Sequence, residues 1–283
     1  MRLQVIGDPV LHSKSPVIQG AMLAALGRKD VAYTARVVRR GELPDYLAWA
    51  KENAVAGFNA TMPHKEDLLP LMDELDDAAR AIGSVNTVCL RDGMLCGHST
   101  DGPGFLDALE NELHISPTGR TIILLGAGGA ARAAAFLCAE KGAEKVYLLN
   151  RSLDKAKQLA DEVNGAFDRE CIFPMGMADY EKLPEEKLLV LQGTSVGLHP
   201  DVDQAPIRDM EFYRRVHTGY DLIYKPAETM FMKLVREAGG KAYNGLSMLL
   251  YQGIIAYELW NQVEVTKEDA DEIYEIMKAA TAV

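Results

Sequence analysis

Short apolar runs alternate with longer amphipathic segments along most of this chain. "LQVIG", "VAYTARVV" and "VAGFNAT" have the dense, β-branched apolar content of strands. Between them, "SPVIQGAMLAALG" and "LPDYLAWAKEN" space their apolar residues as helices do. "SVNTVCLRDGMLCGHST" predicts a hairpin turning at Asp92-Gly93. "DGPGFLDALENEL" predicts a helix, and "SPTG" after it is loop chemistry. A second series follows: "TIILLG", "GAARAAAFLCAEKG", "KVYLLN", "LDKAKQLADEVNG", and later "KLLVLQG" and "HTGYDLIY". Such alternation predicts an α/β fold with parallel sheets and helices on both faces. The C-terminal end predicts helices over "MLLYQGIIAYELW" and "TKEDADEIYEIMKAA".

A length of 283 residues suits two domains. The boundary is expected between Asp101 and Gly119, which leaves the glycine-rich stretch near the start of the second domain. The net charge of −11 argues against nucleic acid or an anionic membrane as partner, because either favours a basic surface. It leaves a small anionic substrate open. Cys89, Cys96, Cys138 and Cys171 form no CxxC pair and have no zinc-ligand spacing, so no metal is expected. They read as small hydrophobes of a reducing cytosol. Asp8 and Pro9 interrupt the N-terminal apolar run before it reaches signal length, and a cytoplasmic protein is expected.

"LLGAGGAARAAAF" places Gly126, Ala127, Gly128, Gly129 and Ala130 between an apolar strand and an alanine-rich helix. Glycines there let a pyrophosphate lie against backbone N–H groups at a helix N-terminus. The next strand, "KVYLLN", ends where dinucleotide-binding folds usually carry an acidic residue for the ribose hydroxyls. Here the chain has Asn150, Arg151 and Ser152, with Lys155 beyond. A carboxylate would repel a 2′-phosphate, whereas these groups bind one, so NADP is expected rather than NAD.

With the cofactor assigned to the second domain, the first should hold the substrate. Its polar residues gather at strand ends and turns: Ser13 and Ser15 in "HSKSP", Asn59, Thr61 and Lys65 in "GFNATMPHK", Asn86 in "SVNTV", Thr100 and Asp101 in "HSTDG". Each alone reads equally as a cap or a solvated side chain. Together, two hydroxyls at a helix start suit a carboxylate, and Asn, Thr, Lys and Asp suit a polyol. A lysine beside an aspartate suits proton transfer as an alcohol becomes a ketone.

"HSKSP", "GFNATMPHK", "SVNTV", "STDGPGF", "GAGGAARA", "NRS", "TSVG", "YDLIYKP" and "NGLSMLLYQ" occur in that order, from Ile6 to about Trp260. In this the chain resembles the shikimate dehydrogenase family, including the related quinate/shikimate enzymes. The resemblance implies a substrate-binding catalytic domain over 1–103 and a Rossmann-type, doubly wound NADP-binding domain over 104–240. It also implies C-terminal helices over 241–283 that return to the substrate domain. By the same resemblance Lys65 and Asp101 are the catalytic pair, and Ser13 and Ser15 hold the substrate carboxylate. Thr61, Asn86, Asp101 and Gln252 meet its hydroxyls, with Tyr224 nearby. The loop Gly126 to Ala130, with Asn150, Arg151, Ser152 and Lys155, holds NADP, and Leu222 and Gly245 stand at the nicotinamide end. The implied reaction is reversible reduction of 3-dehydroshikimate to shikimate, in aromatic amino acid (chorismate) biosynthesis, by a monomer or homodimer.

The chain departs from the family pattern at Gln19-Gly20 (often His-Asn), Ser99 (usually Asn), Gln192 (usually Asn) and Ser247 (usually Gly). Ser99 adjoins Thr100 and Asp101, which leaves a quinate or quinate/shikimate dehydrogenase using NAD(P) as an alternative. A non-catalytic NADP-binding sensor is the alternative of another class, and the presence of both Lys65 and Asp101 argues against it.

Overall fold

The computed structural model describes residues 1–11, 13–184 and 188–281. His12, in "HSKSP", and Lys187, at the head of "KLLVLQG", lie outside the described residues. The chain opens with β1 (Arg2–Gly7), α1 (Ser15–Ala25), β2 (Ala32–Val37), α2 (Leu43–Glu52) and β3 (Val55–Ala60). Next come α3 (His64–Asp67), β4 (Glu74–Leu75), α4 (Asp77–Ile82), β5 (Thr87–Arg91), β6 (Met94–His98) and α5 (Asp101–Asp107). The second series is β7 (Thr121–Leu125), α6 (Gly129–Glu140), β8 (Lys145–Asn150), α7 (Leu153–Ala166) and β9 (Ile172–Gly176). It continues with β10 (Leu188–Gln192), α8 (Met210–Tyr213), β11 (Val216–Asp221), α9 (Met230–Glu237) and β12 (Lys241–Tyr243). The last helices are α10 (Leu246–Asn261) and α11 (Lys267–Thr281).

Two compact units result: Met1–Gly104 with Leu250–Val283, and Phe105–Leu249. In the first, the strand order is β2-β1-β3-β5-β6-β4. β1 is parallel to β2 and β3, but β5 runs antiparallel to both β3 and β6. This sheet is therefore mixed, and β5 and β6 form the hairpin predicted at Asp92-Gly93. The cause is local: Asp92 (φ 50°) and Gly93 (φ 81°) both take the left-handed conformation of a two-residue turn, and such a turn joins only antiparallel neighbours.

One face of this sheet buries Ile6, Phe58 and Val88 with Tyr46 and Leu47 of α2. On the other, Leu3 and Cys89 pack with Ala256 and Trp260 of α10. Gly57 makes room for that indole, because a β-carbon there would stand 2.3 Å from Trp260 Nε1. Trp260 Nε1–H in turn donates to Val88 O at 3.0 Å. The chain's C-terminal part is thus fixed to the first sheet, and α11 packs on α1.

The second unit holds a fully parallel sheet in the order β12-β11-β10-β7-β8-β9. The chain enters at β7, winds outward through β8 and β9, and then returns beside β7 at β10. That reversal makes the fold doubly wound and places a switch point between β7 and β10, where such sheets bind ligands. Ile123, Leu125, Val190, Phe231 and Val235 belong to its core.

Candidate active site

Lys65 is placed by the short turn that follows β3. Thr61 N–H donates to Ile6 O (2.9 Å), Val85 N–H to Lys65 O (2.8 Å), and the fully buried His64 ring bonds Val38 O through Nε2 (2.7 Å). A carbonyl can only accept, so Nε2 carries the proton. From this held backbone Lys65 Nζ donates to Asp101 Oδ2 at 2.5 Å. Their side chains are 33% and 25% exposed, which leaves the pair open to a ligand. Asp101 begins α5, and its other oxygen, Oδ1, accepts from Asn86 Nδ2 at 2.9 Å. Asn86, only 3% exposed, also donates to Thr100 Oγ1 (3.0 Å), and its Oδ1 accepts from Thr100 N–H (2.7 Å). Each Asp101 oxygen therefore has its own partner, which fixes the plane of the carboxylate.

Ser13 and Ser15 lie together at the start of α1. Ser13 Oγ donates to Ser15 Oγ (3.1 Å) and accepts from Ser15 N–H (3.2 Å). Among the described residues no side chain caps α1, whose N-cap position is Lys14. Both hydroxyls thus sit beside the open, electropositive end of the helix, an arrangement that receives a carboxylate. Thr61 packs against Gly7, where a β-carbon would meet Thr61 Cγ2 at 2.5 Å. Gln252 of α10 reaches the same unit through Gly104, one turn beyond Asp101. Gln19 of α1 is 2% exposed and donates from Nε2 to the carbonyl of Gly253 (3.2 Å).

Tyr33 of β2 is absent from the residues that sequence reasoning selected. Its hydroxyl donates to Asn59 Oδ1 at 2.6 Å, and burial pushes the phenol well above its ordinary pKa. A tyrosine in a strand gives no signal of this by itself. It emerges only once strand order and register are known.

In the second unit, Gly126 takes φ +108°, and a β-carbon there would lie 3.0 Å from the Gly193 backbone. Gly128 and Gly129 differ: β-carbons at either would have nothing within 4 Å. Packing does not require these two glycines, and the space in front of them at the N-terminus of α6 is open. That terminus has no side-chain cap among the described residues. The loop therefore fits a pyrophosphate. At the end of β8, Asn150 Nδ2 donates to Ser152 O (2.9 Å), and Ser152 caps α7 by accepting from Lys155 N–H (3.5 Å). Ser152 keeps its own hydroxyl proton for a ligand. Arg151 and Lys155 are exposed, and among the described residues neither is in an ion pair.

Leu222 and Gly245 touch: a β-carbon on Gly245 would lie 2.3 Å from Leu222 O. Beneath them Gln192, Asp221 and Thr229 are fully buried. Asp221 accepts from Thr229 Oγ1 (2.6 Å), Ile223 N–H (3.0 Å) and Gln192 Nε2 (3.3 Å). Burial nevertheless outweighs these donors and pushes its carboxyl up to about 7. Burial also raises the phenol of Tyr224, which lies in this unit. Among the described residues, no group of three or more His, Cys, Asp or Glu is placed to hold a metal, and no helix is long and apolar enough to cross a membrane.

Two family models match, the shikimate dehydrogenase substrate binding domain over residues 5–88 and shikimate / quinate 5-dehydrogenase over residues 109–174. A shikimate dehydrogenase (NADP(+)) of Desulforamulus reducens is 40% identical over 90% of this chain and 88% of its own. The chain belongs to the shikimate dehydrogenase family. A crystal structure of a shikimate dehydrogenase with NADP+ has a TM-score of 0.89 at 33% identity, covering 99% of this chain and 95% of its own. The family's enzyme from Thermus thermophilus, with NADP(H) and shikimate, has a TM-score of 0.84 at 34% identity and 99% coverage of both.

Proposed function

We propose that this chain is an NADP-dependent shikimate dehydrogenase that reversibly reduces 3-dehydroshikimate to shikimate in aromatic amino acid biosynthesis. The observation that carries the reading is the Lys65–Asp101 pair, held from both sides by Asn86 and the α3 turn and still open to a ligand. Ser13 and Ser15 receive the carboxylate, and Thr61, Asn86, Asp101 and Gln252 receive the ring hydroxyls. NADPH, when bound, supplies the hydride for the ring carbonyl. The chain's own contribution is the proton. Lys65 donates it to the carbonyl oxygen as that oxygen becomes a hydroxyl, and Asp101 keeps the ammonium oriented. In the reverse direction the same lysine takes the proton back.

The cofactor is held by Gly126, Ala127, Gly128, Gly129 and Ala130 at the pyrophosphate. Asn150, Arg151, Ser152 and Lys155 hold the 2′-phosphate, Leu222 and Gly245 serve the nicotinamide end, and Tyr224 serves the substrate. The open space before Gly128 and Gly129 supports the first of these assignments. Residues 1–103 act as the substrate domain, joined by the C-terminal helices, and residues 104–240 as the cofactor domain. Work in the reducing cytoplasm is supported by four free thiols, of which Cys89 and Cys138 are buried and pushed up to about 11 and 12.

The test is a four-way assay of shikimate and quinate against NADP and NAD, followed at the reduced-nicotinamide absorbance band. Turnover fastest with shikimate and NADP is expected. A faster reaction with quinate, or none with either acid, overturns the reading.

A further inference from the structure

β10 and β11 end side by side next to the switch point, with Gln192 in register opposite Asp221. Both side chains are fully buried, and neither is among the groups assigned to cofactor or substrate. The Gln192 side chain folds back over the turn that follows its own strand. Its Oε1 accepts from Thr194 N–H (2.6 Å), and Nε2 donates to Thr194 O (3.3 Å) and Val196 O (3.2 Å). Nε2 also donates to Asp221 Oδ1 (3.3 Å), which accepts from Ile223 N–H (3.0 Å) as well. Asp221 Oδ2 accepts from Thr229 Oγ1 (2.6 Å), so the carboxylate is held at each oxygen. One amide and one carboxylate thereby tie together the segments that leave two adjacent strands, 193–196 and 222–223.

The backbone carries this arrangement to Leu222 and Gly245. Leu222 N–H donates to Gln192 O (2.9 Å), and Gly245 N–H donates to Ile223 O (3.0 Å). The contact between Leu222 and Gly245 thus stands directly on Gln192 and Asp221. The pyrophosphate side is held differently. Gly193 N–H donates to Leu125 O (2.8 Å), and a β-carbon on Gly193 would lie 2.9 Å from Ala131 Cβ. Those contacts are made by backbone and by α6, without the Gln192 side chain. We propose that Gln192 is a positioning residue of this enzyme, whose side-chain amide, braced on Asp221, sets the nicotinamide end of the cofactor site and leaves the glycine loop to the backbone. Placement matters most at that end, because a misplacement of about 1 Å can cost on the order of a hundredfold in rate. This rests on the reading of Leu222 and Gly245 as the nicotinamide end.

The test compares wild type with Gln192→Met, close in shape but apolar, and Gln192→Asn, one methylene shorter. Calorimetry gives the affinities for NADP and for 2′-phosphoadenosine diphosphate ribose, which lacks the nicotinamide, and kinetics gives kcat and KM for shikimate. Gln192→Met should weaken NADP roughly five- to fiftyfold, because it strips buried donors and acceptors of their partner. The truncated ligand should bind this variant as it binds wild type, and kcat should fall by about tenfold or more. The KM for shikimate should change little, because the groups assigned to its carboxylate and hydroxyls belong to the first unit. Gln192→Asn can still turn back onto Thr194 N–H but cannot also reach Asp221, so its losses should be intermediate. A merely structural Gln192 would lower the melting temperature and leave kcat and the ratio of the two affinities as in wild type, which overturns the proposal. Equal weakening of both ligands overturns it as well, because the glycine loop would then depend on Gln192. If Gln192→Met fails to fold, Gln192→Asn carries the test, and a wild-type ratio in that variant overturns the proposal. A wild type that binds the two ligands equally overturns the nicotinamide reading of Leu222 and Gly245, and the positioning with it, before any variant is compared.

Discussion

Gly104 in α5 and Gln252 in α10 pass so close that a β-carbon on Gly104 would stand 2.4 Å from the Gln252 backbone nitrogen. Backbone cannot swing aside as a side chain can, so the two helices would have to part. Gly104→Ala should destabilise by about 1–3 kcal/mol and raise the KM for shikimate, because Gln252 moves with α10. Gly20 is also helical, but it is exposed, and a β-carbon there would have nothing within 4 Å. Gly20→Ala should gain up to about 1 kcal/mol. Denaturant titration of both variants decides it, and equal losses at the two glycines would refute the packing argument.

Lys65 carries the proton in the proposed mechanism, while the substrate carboxylate is held elsewhere. Lys65→Ala should lower kcat by about 10²–10⁴ with a much smaller change in substrate affinity. The readout is the split between kcat and KM. A variant with near-normal kcat and raised KM would make Lys65 a binding residue instead.

The hairpin at Asp92-Gly93 and the strand–glycine–helix unit at Gly126 were legible because each is local: a turn dipeptide, and a change of hydrophobic period across a glycine cluster. Shorter or interrupted strands were not. β4 has two residues and β12 three, too few for periodicity to register. β9 contains Pro174, which reads against a strand and is tolerated because β9 is at the sheet edge. At the site, Lys65, Asn86 and Asp101 stood out as polar residues at strand ends. Tyr33 did not, because its partner Asn59 is 26 residues away and the two meet only through strand order.

Asp221 supplies a pH dependence of stability whose sign follows from its carboxyl. Folding raises it from 3.8 to about 7, so the folded chain binds that proton more tightly than the unfolded chain. The contribution is fully present below pH ~4, declines as pH rises through about 7, and is lost above that, at a cost on the order of 4 kcal/mol. Asp221→Asn carries no charge at any pH and should lack this decline. Thermal melts at pH 5 and pH 8.5 should show the variant gaining on wild type by several degrees between the two. Parallel melting curves would mean that Asp221 keeps an ordinary carboxyl in the fold.

Cofactor choice should lie at the end of β8, because the glycine loop meets a pyrophosphate that NAD and NADP share. Arg151 stands there in place of an acidic side chain, and Lys155 follows Ser152 within the first turn of α7. A hydrogen bond to a charged group is worth about 1.5–3 kcal/mol, or roughly tenfold to a hundredfold in affinity. Arg151→Ala should weaken NADP by about that factor and leave NAD nearly unaffected. Exposure adds a second signature. Both cations face solvent in the described chain, so raising the salt from about 0.1 M to 1 M, which shortens the Debye length from about 10 to 3 Å, should erode the NADP preference strongly. Titration of both cofactors against wild type and variant at the two salt concentrations measures this. Equal losses for NAD and NADP, or a wild type that prefers NAD, would remove Arg151 from the 2′-phosphate site.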